Sequence, residues 1–309
     1  MLLPAAVVGS LAFGAFACSS SSGRNAFGTD SPDGGPGTGS GAGFSPTTDA
    51  GGANEDGCSD EAKLVYVLSI EGDLYSFAPA DKKFTKVGPL DCATGNEDLV
   101  PISMAVDRDA VAWVNLRGTL SGGLSELYKV DTKTAKCTKS GITGLIGGMG
   151  FSTDANDSKS ETLFVIGEGQ NVGNPGLSRV DFAKKQIVKV HDFDNFVDLE
   201  LTGTGDGRLY GFLTGNPLSV AQVDKTTSAV SDDVPLTNVD TPLGVMYAFS
   251  FWGGDFYVYT ATSETPAKTS TVSRYRPSDG SIDNKYMTQI GFHIVGAGVS
   301  TCAPVSSPK

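Results

Sequence analysis

The 309-residue chain predicts an all-β fold, a five-bladed β-propeller whose ring is closed by the C-terminal strand. Three observations carry that reading. The composition holds 40 Gly and 15 Pro with 39% hydrophobic residues, and Thr, Ser and Val outweigh the strong helix formers. A hairpin phrase recurs five times along the chain. The last strand has no partner beside it in sequence, and the first blade is one strand short.

The hairpin phrase appears as LYSF at 74–77 before ADKKFTKV, and as LYKV at 127–130 before DTKTAKCTK. It returns as LSRV at 177–180, VAQV at 220–223 and VSRY at 272–275. Each copy alternates apolar and polar residues, passes a polar turn and starts a second alternating run, which is the pattern of a β-hairpin. The anchors Phe77, Val130, Val180, Val223 and Tyr275 lie 53, 50, 43 and 52 residues apart, the period of a propeller blade.

A second pair of strands fits between successive hairpins: 102–106 with 111–114, 148–151 with 162–166, 199–202 with 209–212, and 247–251 with 256–259. The turns DRDA, STDANDSKSE, GTGDGR and WGGD supply the Gly and Asp that tight turns need. One of them sits in TGTGDGRLYGFL, at 202–213, whose glycines invite comparison with a phosphate-binding loop. A dinucleotide motif requires Gly at 208, where Arg stands, followed by a helix. RLYGFL alternates like a strand instead, so TGTGDG reads as a hairpin turn.

The first blade has only three strands, beginning at 62–70, and the segment 292–300 is left over. Placing 292–300 as the innermost strand of that first blade completes five four-stranded blades and leaves no open edge. Cys58 and Cys302 flank the strands that this closure joins. Four cysteines allow three pairings, and the closure selects Cys58–Cys302 with Cys92–Cys137. The gaps of 33, 44 and 164 residues between these cysteines resemble no zinc site.

The fifth cysteine, Cys18, ends an uncharged apolar run over 2–17 that suits a secretory signal and is short for a membrane span. Ala15-Phe16-Ala17-Cys18 followed by four serines resembles the lipobox of bacterial lipoproteins, in which Cys18 would carry the lipid. Ala-Phe-Ala also meets the ordinary signal-cleavage pattern, which leaves plain secretion as the alternative. Residues 19–57 hold 11 Gly and little apolar surface, as expected of a disordered tether spanning about 30–35 Å. The expected organisation is therefore a signal segment at 1–17, lipidated Cys18 with its tether to 57, a propeller at 58–303 and a tail at 304–309. The expected location is the bacterial cell envelope, at the outer membrane.

The phrases LELTGTGDGRLYGF and YAFSFWGGDFYVYT, with the lipobox-like Cys and Gly-rich tether, resemble those of uncharacterised β-propeller lipoproteins of myxobacteria and their relatives. The resemblance runs from Cys58 to Cys302 and implies fold and location; it brings no activity with it.

A net charge of −12 repels nucleic acid and anionic lipid, so the expected membrane contact is the lipid anchor alone. The long loops at 115–125, 167–176 and 260–270, with the entering loops at 95–101 and 191–198, mark one face as the ligand face. Its candidate residues are Asp192, Asp194, Asp198, Glu200, Arg117 and Asn171. The four carboxylates could serve a glycosidase, which makes a carbohydrate-active hydrolase the alternative to a protein- or glycan-binding module. His191 could act as a base but reads as a surface residue, and Trp113 and Trp252 read as packing between blades. Asp154, Asn156 and Asp157 could offer oxygens to calcium, although the EF-hand pattern breaks before its Gly. No P-loop, H-E-x-x-H or Ser-His-Asp order is present. A monomer with no cofactor and no metal is expected, its partner an envelope protein or glycan.

Overall fold

The computed structural model describes residues 57–92, 99–118, 125–154, 159–168, 175–194, 198–244, 246–262 and 269–307. The signal segment, Cys18 and the tether up to 56 lie outside the described residues, as does Asn171. Twenty strands, numbered along the chain, form five four-stranded antiparallel sheets among the described residues. The chain folds as a five-bladed β-propeller.

The first blade joins the two ends of the domain. Its strands, from axis to rim, are β20 (Ile294–Val299), β1 (Val65–Ser69), β2 (Asp73–Ala78) and β3 (Lys83–Pro89). Val65 lies opposite Val299 and Val67 opposite Ala297, so the C-terminal strand seals the ring as expected. β1 starts later than the predicted 62–70, because Glu61–Lys63 forms a single 3-10 turn. The second blade comprises β4 (Leu99–Val106), β5 (Val111–Gly118), β6 (Ser125–Asp131) and β7 (Cys137–Thr143). The third comprises β8 (Leu145–Thr153), β9 (Glu161–Glu168), β10 (Pro175–Asp181) and β11 (Gln186–Asp192). The fourth holds β12 (Leu199–Gly203), β13 (Leu209–Leu213), β14 (Ser219–Val223) and β15 (Val230–Pro235). The fifth holds β16 (Tyr247–Trp252), β17 (Asp255–Thr260), β18 (Thr271–Arg276) and β19 (Ser281–Met287).

Composition follows radial position. β20 (IVGAGV) and β17 (DFYVYT) are buried at every residue, whereas the rim strand β15 is almost wholly exposed. The rim strands β3, β7 and β19 carry Lys83, Lys139 and Lys285, charges that discourage pairing with another chain. Five apolar clusters fill the seams between successive blades, each made of one face from either side. Trp113 packs at 4.5 Å against Phe182 of the next blade, and Trp252 joins the cluster between the fifth and first blades. Both tryptophans therefore pack between blades, as the sequence indicated.

A ring of only five blades forces its innermost strands together. A Cβ at Gly203 would lie 2.0 Å from the Phe151 carbonyl oxygen, and one at Gly148 would lie 2.5 Å from the Glu200 Cα. Real side chains never approach so closely, so these inner-strand glycines set the width of the axis. The turn TGTGDG links β12 to β13 with Gly207 at φ +85°, and Thr204 Oγ1 accepts the Arg208 backbone N–H at 3.0 Å. It is a hairpin turn.

The two disulfides are Cys58–Cys302 and Cys92–Cys137, with Cα separations of 5.9 and 5.5 Å. The first locks the ring closure, and the second ties the end of the first blade to the rim of the second. Asp91 stands beside the latter pair, but its carboxylate accepts the Cys137 N–H at 2.7 Å and both sulfurs are spent in the disulfide.

Candidate functional site

The strand β12 reads LELTG. Leu199 and Leu201 enter the apolar seam between the third and fourth blades, so alternation turns Glu200 and Thr202 the other way. Thr202 Oγ1 accepts the Phe251 N–H of the fifth blade at 3.2 Å. Glu200 reaches the second blade, where Ser103 Oγ donates to its carboxylate at 2.8 Å. A contact between the second and fourth blades has to cross the axis of the ring. Glu200 is 3% exposed, and burial pushes its carboxyl well above the usual carboxylate range, against the pull of the Ser103 hydrogen bond.

Three neighbours extend this polar group. Ser103 pairs across the sheet with Asn115, which is fully buried and has no hydrogen-bond partner for either side-chain amide atom among the described residues. Two residues further along β5 and on the same face, Arg117 donates from Nη2 to the Ile146 carbonyl at 2.7 Å. Tyr247 opens β16 on the fifth blade, and burial, then the charges of Glu200 and Asp198, raise its phenol above its ordinary pKa while Arg117 opposes. Asp198 is exposed just before β12. Glu200, Asp198 and Arg117 thus share the axial mouth with Tyr247, Ser103 and Asn115.

The other candidates lie elsewhere. Asp192 ends the rim strand β11 and pairs with Lys189, and its backbone carbonyl accepts Ser228 Oγ at 2.6 Å. Asp194 is exposed in the connection from β11 to β12. Asp198 and Glu200 therefore lie at the axis, Asp192 at the rim and Asp194 in the connection between them, because that connection runs from the rim of one blade to the axis of the next. His191 is exposed on the rim strand, with Nδ1 donating to the Asp192 carbonyl at 2.9 Å. Of the calcium candidates, Asp154 Oδ1 accepts Thr162 Oγ1 at 2.5 Å, and Asn156 and Asp157 lie outside the described residues.

Sequence reasoning singled out Glu200, Asp198 and Arg117 but missed Ser103, Asn115 and Tyr247. The signal for the first two was a polar residue inside an otherwise apolar inner run, Ser103 in PISMAV and Asn115 in VAWVNL. Tyr247 gives no such signal, since aromatic residues are ordinary at strand starts.

Burial raises both the Glu200 carboxyl and the Tyr247 phenol, and Ser103 Oγ holds the former by a hydrogen bond. Glycoside hydrolysis needs two carboxyls about 5–9.5 Å apart that both reach the sugar. Glu200 is covered and bonded to Ser103, so it does not meet that condition.

No protein-family model matches the chain, and none of the curated proteins matches it. Solved structures resemble it in fold. TolB from Acinetobacter baumannii is 16% identical with a TM-score of 0.43, over 71% of this chain and 51% of that one. The chain thus spans about half the length of that protein. A putative TolB from Agrobacterium tumefaciens is 12% identical with a TM-score of 0.41, over 75% of this chain and 90% of that one. A luciferin-regenerating enzyme is 14% identical with a TM-score of 0.44, covering 82% of this chain and 94% of that one. At these values the likeness is one of fold.

Proposed function

We propose that the chain is an envelope-anchored β-propeller lipoprotein, of the kind found in myxobacteria and their relatives, that binds or scaffolds a protein or glycan without catalysis. The observation that carries the binding reading is the sealed axis. Glu200 is 3% exposed and tied to Ser103 across the axis, and the inner strands pack so closely that a Cβ at Gly148 would lie 2.5 Å from the Glu200 Cα. What the axial mouth offers to a partner is a fixed set of polar groups, Asp198, Arg117 and Tyr247, on a rigid ring.

Two features support the location. Both disulfides belong to an oxidising compartment outside the cytoplasm. The apolar run ending at Cys18 suits export and lipidation, and among the described residues no helix is long and apolar enough to cross a membrane.

Two experiments test this reading. Cys18→Ser is expected to move the protein from the membrane fraction to the soluble envelope fraction; retention in the membrane would contradict lipidation. Chemical cross-linking on intact cells, followed by mass spectrometry of captured partners, is expected to place cross-links around Asp198 and Arg117. Cross-links spread evenly over the surface would contradict an axial binding face.

A further inference from the structure

A cleft of about 580 Å³ opens between the fourth and fifth blades, away from the axial group. It lies beside the turn from β12 to β13 and the turn from β16 to β17, with the tail residues Val305, Ser306 and Ser307 along one wall. The tail is held there by its own bonds: the Gly253 N–H donates to the Pro304 carbonyl at 2.7 Å, and Ser307 Oγ donates to the Gly253 carbonyl at 3.2 Å. The volume falls within the range of small-ligand sites.

The lining combines aromatic rings with polar groups of both signs. Tyr210 meets Phe256 edge-on at 4.8 Å, and Tyr275 lies nearly parallel to Phe256 at 6.0 Å. Asp255 reaches the lining from a residue only 8% exposed. Its nearest cations are Arg274 at 3.8 Å and Arg276 at 3.9 Å, both beyond hydrogen-bond distance. The Asp255 side chain is 11% exposed, and no hydrogen bond to its carboxylate occurs among the described residues.

Arg208 is fixed in place before any ligand arrives. It donates to both oxygens of Asp206, at 2.9 and 2.6 Å, and to Tyr210 Oη at 2.6 Å. That uses three of the five N–H donors of a guanidinium and leaves two. Gln222, also in the lining, has a side-chain amide without a partner among the described residues. Asp232 and Asp255 balance Arg208 and Arg276, so the cleft carries no net charge.

From these features we infer that the cleft between the fourth and fifth blades is a binding site for a short neutral oligosaccharide. A hydroxyl both donates and accepts, which suits a lining that mixes carboxylate, guanidinium and amide. The C–H face of a pyranose is apolar and packs on an aromatic ring, and Tyr210 is the partly exposed ring of the lining, with Phe251, Phe256 and Tyr275 buried behind it. A phosphate, an acidic sugar or an amine would meet as many like charges as opposite ones, so the lining gives no net attraction to a charged ligand over a neutral one. The inference goes beyond the axial reading above and does not depend on Glu200.

Titration calorimetry of the whole mature protein tests it, with neutral trisaccharides of α- and β-linked glucose, galactose, mannose and N-acetylglucosamine as probes. At least one is expected to bind saturably. Asp255→Asn and Gln222→Ala are each expected to weaken that binding tenfold or more, with melting temperatures close to the parent. Tyr210→Ala provides a second arm and is expected to abolish it, with folding checked by circular dichroism. Absence of saturable binding by every trisaccharide up to 10 mM would overturn the inference. Binding unchanged by Asp255→Asn and Gln222→Ala would overturn it too, as would a trilysine or trigalacturonate probe binding more tightly than the neutral sugars. Recovery of shortened sugar from the cell would contradict the non-catalytic reading instead, which keeps the two failures apart.

Discussion

Replacing both Cys58 and Cys302 with serine removes the lock on the ring while leaving β1 and β20 able to pair. The bond closes a loop of 244 residues, nearly the whole folded domain. Chain-entropy bookkeeping assigns such a loop about 5.5 kcal/mol at 25 °C, at the upper end of measured disulfide effects. The serine pair keeps the β1–β20 register, the Ser300 Oγ bond to the Ala62 carbonyl at 2.6 Å and the Trp252 Nε1 bond to the Lys63 carbonyl at 2.7 Å. The variant therefore folds, but with a weakened seam. For a domain of this size each kcal/mol moves the melting temperature by about 2–4 °C, so a fall of about 10–20 °C is expected by calorimetry. Limited proteolysis should then cut first at the two ends of the domain. The matched pair Cys92→Ser/Cys137→Ser releases a closed loop of 45 residues and should cost about 4 kcal/mol without exposing those ends. A melting temperature within 2 °C of the parent, or cleavage that begins elsewhere than the β1–β20 seam, would refute the closure.

Two further predictions test the packing and the electrostatics. Gly203→Ala places a Cβ 2.0 Å from the Phe151 carbonyl oxygen, and the resulting backbone shift should cost about 3 kcal/mol or more in urea unfolding. The control Gly280→Ala meets open space at φ +70° and should cost about 1–2 kcal/mol; equal effects would contradict the tight axis. Glu161 accepts Thr301 Oγ1 and the Arg108 backbone N–H, both at 2.7 Å, and burial pushes its carboxyl up to about 7 from an ordinary 4.5. A carboxyl with a raised folded pKa holds its proton more tightly when folded. Its burial therefore costs nothing below about pH 4.5, and the cost grows as pH rises to 7 and is complete above it. At about 1.4 kcal/mol per pH unit the full cost is about 3 kcal/mol. Glu161→Gln, compared with the parent at pH 5 and pH 8, should remove most of that loss; an identical pH dependence would contradict it. Glu200 contributes with the same sign in both proteins, so the difference between them isolates Glu161.

The fold was legible because blade periodicity is a local signal: each hairpin announces itself through alternation and a polar turn, and five copies at similar spacing leave few other architectures. The closure was legible from an absence, since 292–300 had no neighbour to pair with and only the first blade lacked a strand. The site was legible in part. Glu200 was singled out only as one of four carboxylates at 192–200, and its partner Ser103 lies 97 residues away across the axis. Sequence nearness also misled at 191–200, where Asp192 and Glu200 belong to the rim and the axis of successive blades. The cleft between the fourth and fifth blades was invisible, because TGTGDG and WGGD read as turns and give no sign that they stand side by side with the tail.

The most direct test of a non-catalytic binding module is one equilibrium measurement with product analysis. The membrane-anchored protein is incubated with envelope glycans and envelope protein extract, bound material is eluted, and its size is compared with the input. The expected result is saturable retention of a defined protein or glycan, recovered intact and in proportion to the amount of propeller. Recovery of shortened glycan, increasing with time and lost in Asp198→Asn/Glu200→Gln, would contradict it and restore the axial carboxylates as catalysts.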